Sequence, residues 1–416
     1  MAVDTPATIA IIGAGPIGLE AALYSRFLGY DVLVFEQGLV AESVQRWGHV
    51  EMFTPFSMNC SPLGVAAIQA QGSTELPSED QLLTGCQWRT RYLIPLSQTD
   101  LLADSIHQRT NVVKVGRQSV LKHEMLGAAE RATSRFRILV DGVNGEAVHQ
   151  ADIVIDCSGV LGVANWLGSG GGPAVGERAL IDHIDHLPPD VLGKDKSRFE
   201  GMKTLLVGAG YSAATTAVEL SRLVMANSET QFVWAVRAVE THTPITRHTN
   251  DRLASRDQLA QTANALASQA DGPCRMRGET SIESIRRDDQ GAFWIRFYGQ
   301  DAEESFDNLV ANVGFCGDNT ITDQLQVHRC YASDGPMNLA ATLSQQTTAD
   351  CLDQKSTGAD SLKNPEPNLY LLGSKSYARN PSFLFAVGLE QIRDLFTLIG
   401  DRETLDLYAT VGTARS

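Results

Sequence analysis

Apolar residues in this chain fall into short continuous runs that end in glycine, and the order of these runs repeats. Residues 7–12 form one run and close on Gly13-Ala14-Gly15-Pro16-Ile17-Gly18. A helical stretch to about Gly29 follows, and then a second run, Asp-Val-Leu-Val-Phe-Glu, ends at Glu36. Runs of this length predict buried strands, and their alternation with a helix predicts a βαβ unit. Residues 111–122 and 135–150 read as strands of a hairpin-like meander. Residues 151–159, Ala-Asp-Ile-Val-Ile-Asp-Cys-Ser-Gly, then close the segment as one more apolar strand.

The same series begins again at residue 203. Lys-Thr-Leu-Leu-Val runs into Gly208-Ala209-Gly210, a helix continues to about Ala226, and Gln-Phe-Val-Trp-Ala-Val-Arg is the next strand. Residues 281–289 and 292–300 predict a hairpin with its turn at Asp288 to Gly291, and 306–319 mirrors the closing strand of the first copy. Between the copies, residues 167–177, Leu-Gly-Ser-Gly-Gly-Gly-Pro-Ala-Val-Gly-Glu, carry the glycine and proline density of a linker or crossover. After the second copy, residues 368–376 predict a returning strand and about 382–399 an amphipathic helix. The expected fold is α/β, with two Rossmann-like three-layer domains. The first spans 1–165, the second is inserted at 166–304, and 305–416 returns to the first.

Each glycine turn has a chemical use. Gly13 permits the tight turn, Gly15 lets backbone approach a pyrophosphate, and Gly18 lets helix and strand pack closely; the helix N-terminus then offers free N–H groups to phosphate. Glu36 stands where a carboxylate can accept both hydroxyls of a ribose. In the second copy the pattern is Gly208, Gly210 and Ala213, and Arg237 closes the strand where a carboxylate is expected. An arginine there can pair with a 2′-phosphate, which favours NADPH, with NADH as the alternative. The plain alternative is a solvated arginine at a strand end. His242, Arg247, His248 and Arg252, in the stretch 241–252, either add to that phosphate site or form a charged loop.

Composition narrows the field. The 416 residues carry a net charge of −15, which argues against a nucleic-acid surface. The 7 cysteines include no Cys-x-x-Cys pair, which excludes a zinc ribbon and the usual dithiol centre. No metal site is expected: His183 and His186 lack a third ligand in reach and read as a polar helix face. The N-terminal residues read as a strand, and no apolar run approaches the roughly 18 residues of a membrane span, so the expectation is a soluble cytoplasmic protein.

With these motifs in hand, the chain resembles the two-dinucleotide-binding-domain flavoproteins, the superfamily of thioredoxin reductases and flavin-containing monooxygenases. The resemblance runs through Gly13 to Ala22 with Glu36, then residues 151–159, 203–213, 306–315 and 369–373. It implies that the first motif holds FAD and the inserted one NAD(P)H. The FAD contacts implied are Gly13, Gly15, Gly18 and Glu36, and those of the nicotinamide dinucleotide Gly208, Gly210, Ser212 and Ala213; Pro16, Gln37, Arg46, Gly159 and Gly373 are further candidates at the first site and Arg237 at the second. The chain departs from the pattern in three places. The thioredoxin reductase cysteine pair is missing. The Gly-Asp that ends the last strand of many relatives reads Gly373-Ser374-Lys375. The Phe-x-Gly-x-x-x-His run of flavin-containing monooxygenases is absent.

One segment leans toward the monooxygenases. Arg46-Trp47-Gly48 and Ser57-Met58-Asn59 are similar in order, though not in spacing, to a Gly-Gly-x-Trp run and a Ser-Asn element whose asparagine lies near the reactive flavin edge. Trp47 and Asn59 are therefore the catalytic candidates. The alternative is a packed loop in which Asn59 only starts a turn before Ser61-Pro62. The leading expectation is an FAD-dependent, NADPH-using monooxygenase acting on a small molecule with molecular oxygen. The alternatives are a flavin reductase that serves a small-molecule or protein acceptor without a dithiol, and a redox-silent nucleotide-binding regulator.

Overall fold

The computed structural model describes residues 3–72, 75–238, 242–345 and 350–413. Two compact units divide the chain at Val163/Ala164 and Phe315/Cys316, so that the N-terminal part and the return segment share one unit and 164–315 forms the other.

The first unit is built on a parallel sheet of five strands in the spatial order Leu369–Leu371, Ile153–Asp156, Thr8–Ile12, Asp31–Phe35, Ile106–His107. Alternation along the strands assigns the two faces. Ile9, Ile11, Val32, Val34, Ile153 and Ile155 pack under the helices Pro16–Phe27 and Phe385–Gly400. Ala10, Ile12, Phe35, Val154, Leu369 and Leu371 pack on the other side against Val115, Phe136, Ile138 and Val140. The latter residues come from a three-stranded antiparallel meander, Asn111–Arg117, Phe136–Gly142 and Gly145–Ala151. Both faces are covered, which is why the strands read as unbroken apolar runs. A buried triad, Glu366 between Arg117 and Arg131 with N–O distances of 2.7 and 2.9 Å, ties the meander to the return segment.

The second unit has four parallel strands in the order Cys274–Arg277, Gln231–Ala235, Lys203–Val207, Asn308–Ala311. Leu206, Phe232, Trp234 and Val310 face the helices Tyr211–Ala226 and Ala254–Ala267. Leu205, Val207, Val233, Ala235 and Leu309 face a second meander, Ile282–Arg287, Phe293–Phe297 and Glu303–Phe306. In both units the motif strand lies between the strand after its helix and the strand that closes the segment. The repeated order in sequence is a repeated topology in space.

One local expectation sharpens. The glycine-rich stretch 167–177, read as a linker or crossover, is exposed at 169–171, 173, 175 and 176 but is tied down at several points. Gly168 and Val175 bridge to Ile282 and Ser284, and the buried Glu177 carboxylate accepts the amides of Leu167 and Ala174 at 2.9 and 2.7 Å. Gly176 is required there, because a Cβ on it would stand 2.1 Å from the Ile285 carbonyl oxygen. The helix Ala254–Ala267 is an addition, since the weak periodicity of its alanine-rich sequence gave no element there. No helix among the described residues is long and apolar enough to cross a membrane.

Candidate functional site

The carboxyl ends of parallel strands are where an open α/β sheet binds its ligand. In the first unit this edge gathers Gly13, Gly15, Glu36, Gly159 and Gly373, since their strands are neighbours in the sheet. Gly13, at φ +98°, donates its N–H to the Phe35 carbonyl at 2.7 Å. A Cβ on Gly13 would stand 2.8 Å from the Cys157 carbonyl oxygen, and one on Gly18 only 1.9 Å from that of Gly13. Beyond Gly15 there is open space, with no heavy atom within 4 Å of where its Cβ would be. Gly15 is also the N-cap of the first-motif helix, has no side-chain cap, and is followed by Pro16 in the first turn. That helix end, with its free N–H groups beside open space, has the polarity that a pyrophosphate requires.

Glu36 is fixed before any ligand arrives. One carboxylate oxygen accepts the Ala14 amide at 2.8 Å and the other the Gly38 amide at 2.9 Å. Burial still raises its pKa, and the two amides act against that rise. Each oxygen keeps a lone pair for a hydroxyl. Gln37 beside it is exposed. Arg46 is exposed on the helix Glu42–Arg46 and donates to the Leu161 carbonyl at 3.3 Å.

The Gly373-Ser374-Lys375 departure has a structural counterpart. Ser374 opens the short helix Ser374–Tyr377, and its Oγ would lie 3.7 Å from a Cβ on Gly159. Lys375 turns inward, 2% exposed, donates to the Asp318 carbonyl, and lies 3.7 Å from the Asp156 carboxylate. Asp156 is itself buried at the end of its apolar strand and accepts the Ser158 amide and hydroxyl at 3.0 and 2.6 Å. The buried carboxylate of this edge therefore sits on the neighbouring strand. An acidic residue closing a wholly apolar run was the signal for it in the sequence. Cys157, next in the chain, is buried, and its thiol pKa is pushed well above the usual range by burial and by Asp156.

The two catalytic candidates also lie in this unit. Trp47 is half-buried, with its ring against Gly85, where a Cβ would come within 2.6 Å of a ring carbon. Asn59 is buried and its amide nitrogen donates to the Thr54 carbonyl, the Thr54 hydroxyl and the Pro55 carbonyl at 3.0, 2.8 and 2.9 Å. Its backbone carbonyl accepts from Trp88 Nε1 at 2.8 Å. Ser61 then caps the helix Pro62–Ala70.

The second unit carries the other motif. Gly208, at φ +139°, donates to the Ala235 carbonyl at 3.1 Å, and a Cβ on it would stand 2.2 Å from the Asn312 carbonyl oxygen. Gly210 caps its helix without a side-chain bond and faces open space, as Gly15 does. Ser212 is exposed and Ala213 wholly buried. Arg237 is exposed just past the strand end and joins no ion pair among the described residues. Of the neighbouring basic stretch, Thr241 lies outside the described residues. Arg247 is held by both oxygens of Asp257 at 2.8 and 3.1 Å, so its charge is already matched. Tyr211 Oη donates to the Thr246 carbonyl at 3.0 Å, which brings that loop to the glycine turn. His183 Nδ1 lies 3.1 Å from Arg287, and no group of three or more His, Cys, Asp or Glu that could hold a metal occurs among the described residues.

Two glycine turns at the carboxyl ends of two parallel sheets, each backed by a meander, give this chain the fold of the two-dinucleotide-binding-domain flavoproteins. No protein family and no curated protein matches the sequence. Solved structures do match. One is a bacillithiol disulfide reductase from Bacillus cereus, at TM-score 0.67 and 15% identity over 96% of this chain and 100% of that one. A second is the FAD-bound cadaverine monooxygenase of desferrioxamine biosynthesis from Erwinia amylovora, at TM-score 0.62 and 14% identity over 97% and 96%. A third is an ornithine N-hydroxylase from Kutzneria sp. 744, solved with reduced FAD, NADP+ and L-ornithine, at TM-score 0.57 and 11% identity over 96% and 100%. At these identities the likeness is one of fold.

Proposed function

We propose that the protein is an FAD-dependent, NAD(P)H-using oxidoreductase, with FAD at the first turn and the nicotinamide dinucleotide, preferably NADPH, at the second. The observation that carries this reading is the pair of uncapped glycine turns, each facing open space, with a fixed carboxylate at one and an exposed arginine at the other. Bound together, the two cofactors supply hydride transfer from nicotinamide to flavin and onward delivery of the electrons. The protein's residues do the rest. Gly15 and Gly210 admit the pyrophosphates to the helix ends, Glu36 accepts the ribose hydroxyls of FAD, and Arg237 meets the 2′-phosphate of NADPH. Gln37, Arg46, Gly159 and Gly373 border the first site, and Ser212 and Ala213 the second.

Within this class we favour a monooxygenase acting on a small molecule. Its support is the aromatic and methionine-rich loop around Trp47, Met58 and Asn59, together with the lack of a Cys-x-x-Cys pair in the sequence. A second reading, a reductase without a dithiol, is favoured by one observation: the Asn59 amide nitrogen is committed to Thr54 and Pro55 and leaves only the side-chain oxygen for a ligand. The test is to purify the protein, measure bound FAD, reduce it anaerobically with NADPH or NADH, and then admit oxygen with candidate amines, thiols and disulfides. Hydroxylated product with less peroxide than nucleotide consumed supports the monooxygenase. Full conversion to peroxide, or turnover of a disulfide, supports the reductase. A protein that carries FAD but is reduced by neither nucleotide is a regulator, and both enzyme readings fall.

A further inference from the structure

Behind the loop that carries Asn59 lies a buried polar network that the glycine motifs do not require. Glu20 sits two residues past Gly18 on the first-motif helix and is fully buried. Its carboxyl accepts the Tyr92 hydroxyl at 2.5 Å. The Tyr92 oxygen accepts the Ser61 backbone amide at 3.0 Å, and Ser61 Oγ accepts the Gly64 amide at 2.8 Å. The corner has no slack. A Cβ on Gly64 would stand 2.2 Å from the Tyr92 oxygen and 2.9 Å from Glu20 Oε1. Ser61 follows directly on Asn59 and Cys60, so the bonds tie that loop to the helix that begins at the FAD turn.

A buried carboxyl is a costly way to anchor a loop, since desolvation disfavours its charged form. No salt bridge to Glu20 occurs among the described residues. The titratable groups around it are Tyr92, Tyr408 from the C-terminal helix Leu407–Thr413 and, beside Tyr92, Cys60; Tyr24, Asp406 and Arg393 lie beyond. Both Glu20 Oε2 and the Tyr408 hydroxyl are buried with no hydrogen-bond partner among the described residues.

We propose that Glu20, acting through Tyr92 and Ser61, is a positioning residue for the Asn59–Cys60 loop, and that its protonation sets how firmly the loop is held to the FAD-binding helix. The proposal rests on the reading of the first unit as the FAD site. Burial pushes the Glu20 pKa up to about 7, so the carboxyl is mostly protonated at pH 6 and mostly charged at pH 8. A charge arising in this apolar corner is relieved by local opening toward water. The loop therefore loosens as pH rises.

The test is backbone hydrogen exchange across residues 54–64 in the FAD-loaded protein at pH 6 and pH 8, corrected for intrinsic rates, with bound FAD measured first. In the wild type, protection should fall several-fold at the higher pH. Glu20→Gln should abolish that fall, and Tyr92→Phe, which removes a single hydroxyl and should still fold, should lower protection at both pH values in this segment only. Identical pH dependence in the wild type and Glu20→Gln would overturn the proposal. So would a Tyr92→Phe loss spread evenly over the unit. Absence of bound FAD would instead sink the reading on which it rests.

Discussion

In the first turn Gly13 donates to the end of the second strand, and in the second Gly208 does the same. The two turns part at the third position of the motif. A Cβ on Gly18 would stand 1.9 Å from the Gly13 carbonyl oxygen, whereas Ala213 carries its methyl without conflict. The first glycine of each also differs: Gly208 sits at φ +139° instead of +98°, and its carbonyl accepts from Trp234 Nε1 at 2.8 Å. The strand ends differ as well: a carboxylate pinned by two amides in one, an exposed arginine in the other.

The comparison can be broken by exchanging its parts. Gly18→Ala should give the largest effect, about 3 kcal/mol or more of destabilisation with loss of bound FAD, because the obstacle is backbone. Thermal unfolding and flavin absorbance measure both. The pH dependence comes next. Glu20 and Glu219, one on each motif helix, are both raised to about 7, chiefly by burial. Their protons are held by the folded state and released by the unfolded one between pH 4.5 and 7. Stability is thus greatest below the lower value and falls as pH rises through the window, on the order of 3 kcal/mol for the fully buried Glu20. In urea titrations at pH 5 and 8, Glu20→Gln should remove that share of the difference.

Smaller effects separate the two strand ends. Glu36→Gln should weaken FAD by about tenfold to a hundredfold, as hydrogen bonds to a charged acceptor are worth roughly 1.5–3 kcal/mol, and leave NADPH binding unchanged. Arg237→Ala should weaken NADPH by about tenfold and NADH hardly at all; equal losses for both nucleotides would remove the case for a 2′-phosphate contact. The reverse exchange, Ala213→Gly, should cost only about 1 kcal/mol, the ordinary penalty of glycine in a helix.

Much of this architecture was legible because both sheets are covered on two faces, which writes each strand as an unbroken apolar run. The two turns were legible because Gly13 and Gly208 adopt positive φ where little else fits. What could not be read depends on contacts between distant residues. Lys375 gave no sign of its pairing with Asp156, 219 residues earlier, and Glu20 looked like an ordinary helix residue until Tyr92 closed on it. The stretch 167–177 has the composition of a linker, yet Gly168 and Gly176 serve close backbone contacts and its Glu177 is a buried acceptor. Asn59 shows the limit in the other direction. A motif-like position proved to have its amide nitrogen locked within its own loop.

The central claim is that one chain holds two dinucleotides and passes electrons between them. Anaerobic titration of the purified protein with NADPH, followed by flavin absorbance, tests it most directly. The account predicts one FAD per chain, bleached by one equivalent of NADPH, with Arg237→Ala needing a higher nucleotide concentration and Glu36→Gln showing less flavin to bleach. A protein that retains no flavin, or whose flavin stays oxidised with both NADPH and NADH, would contradict it.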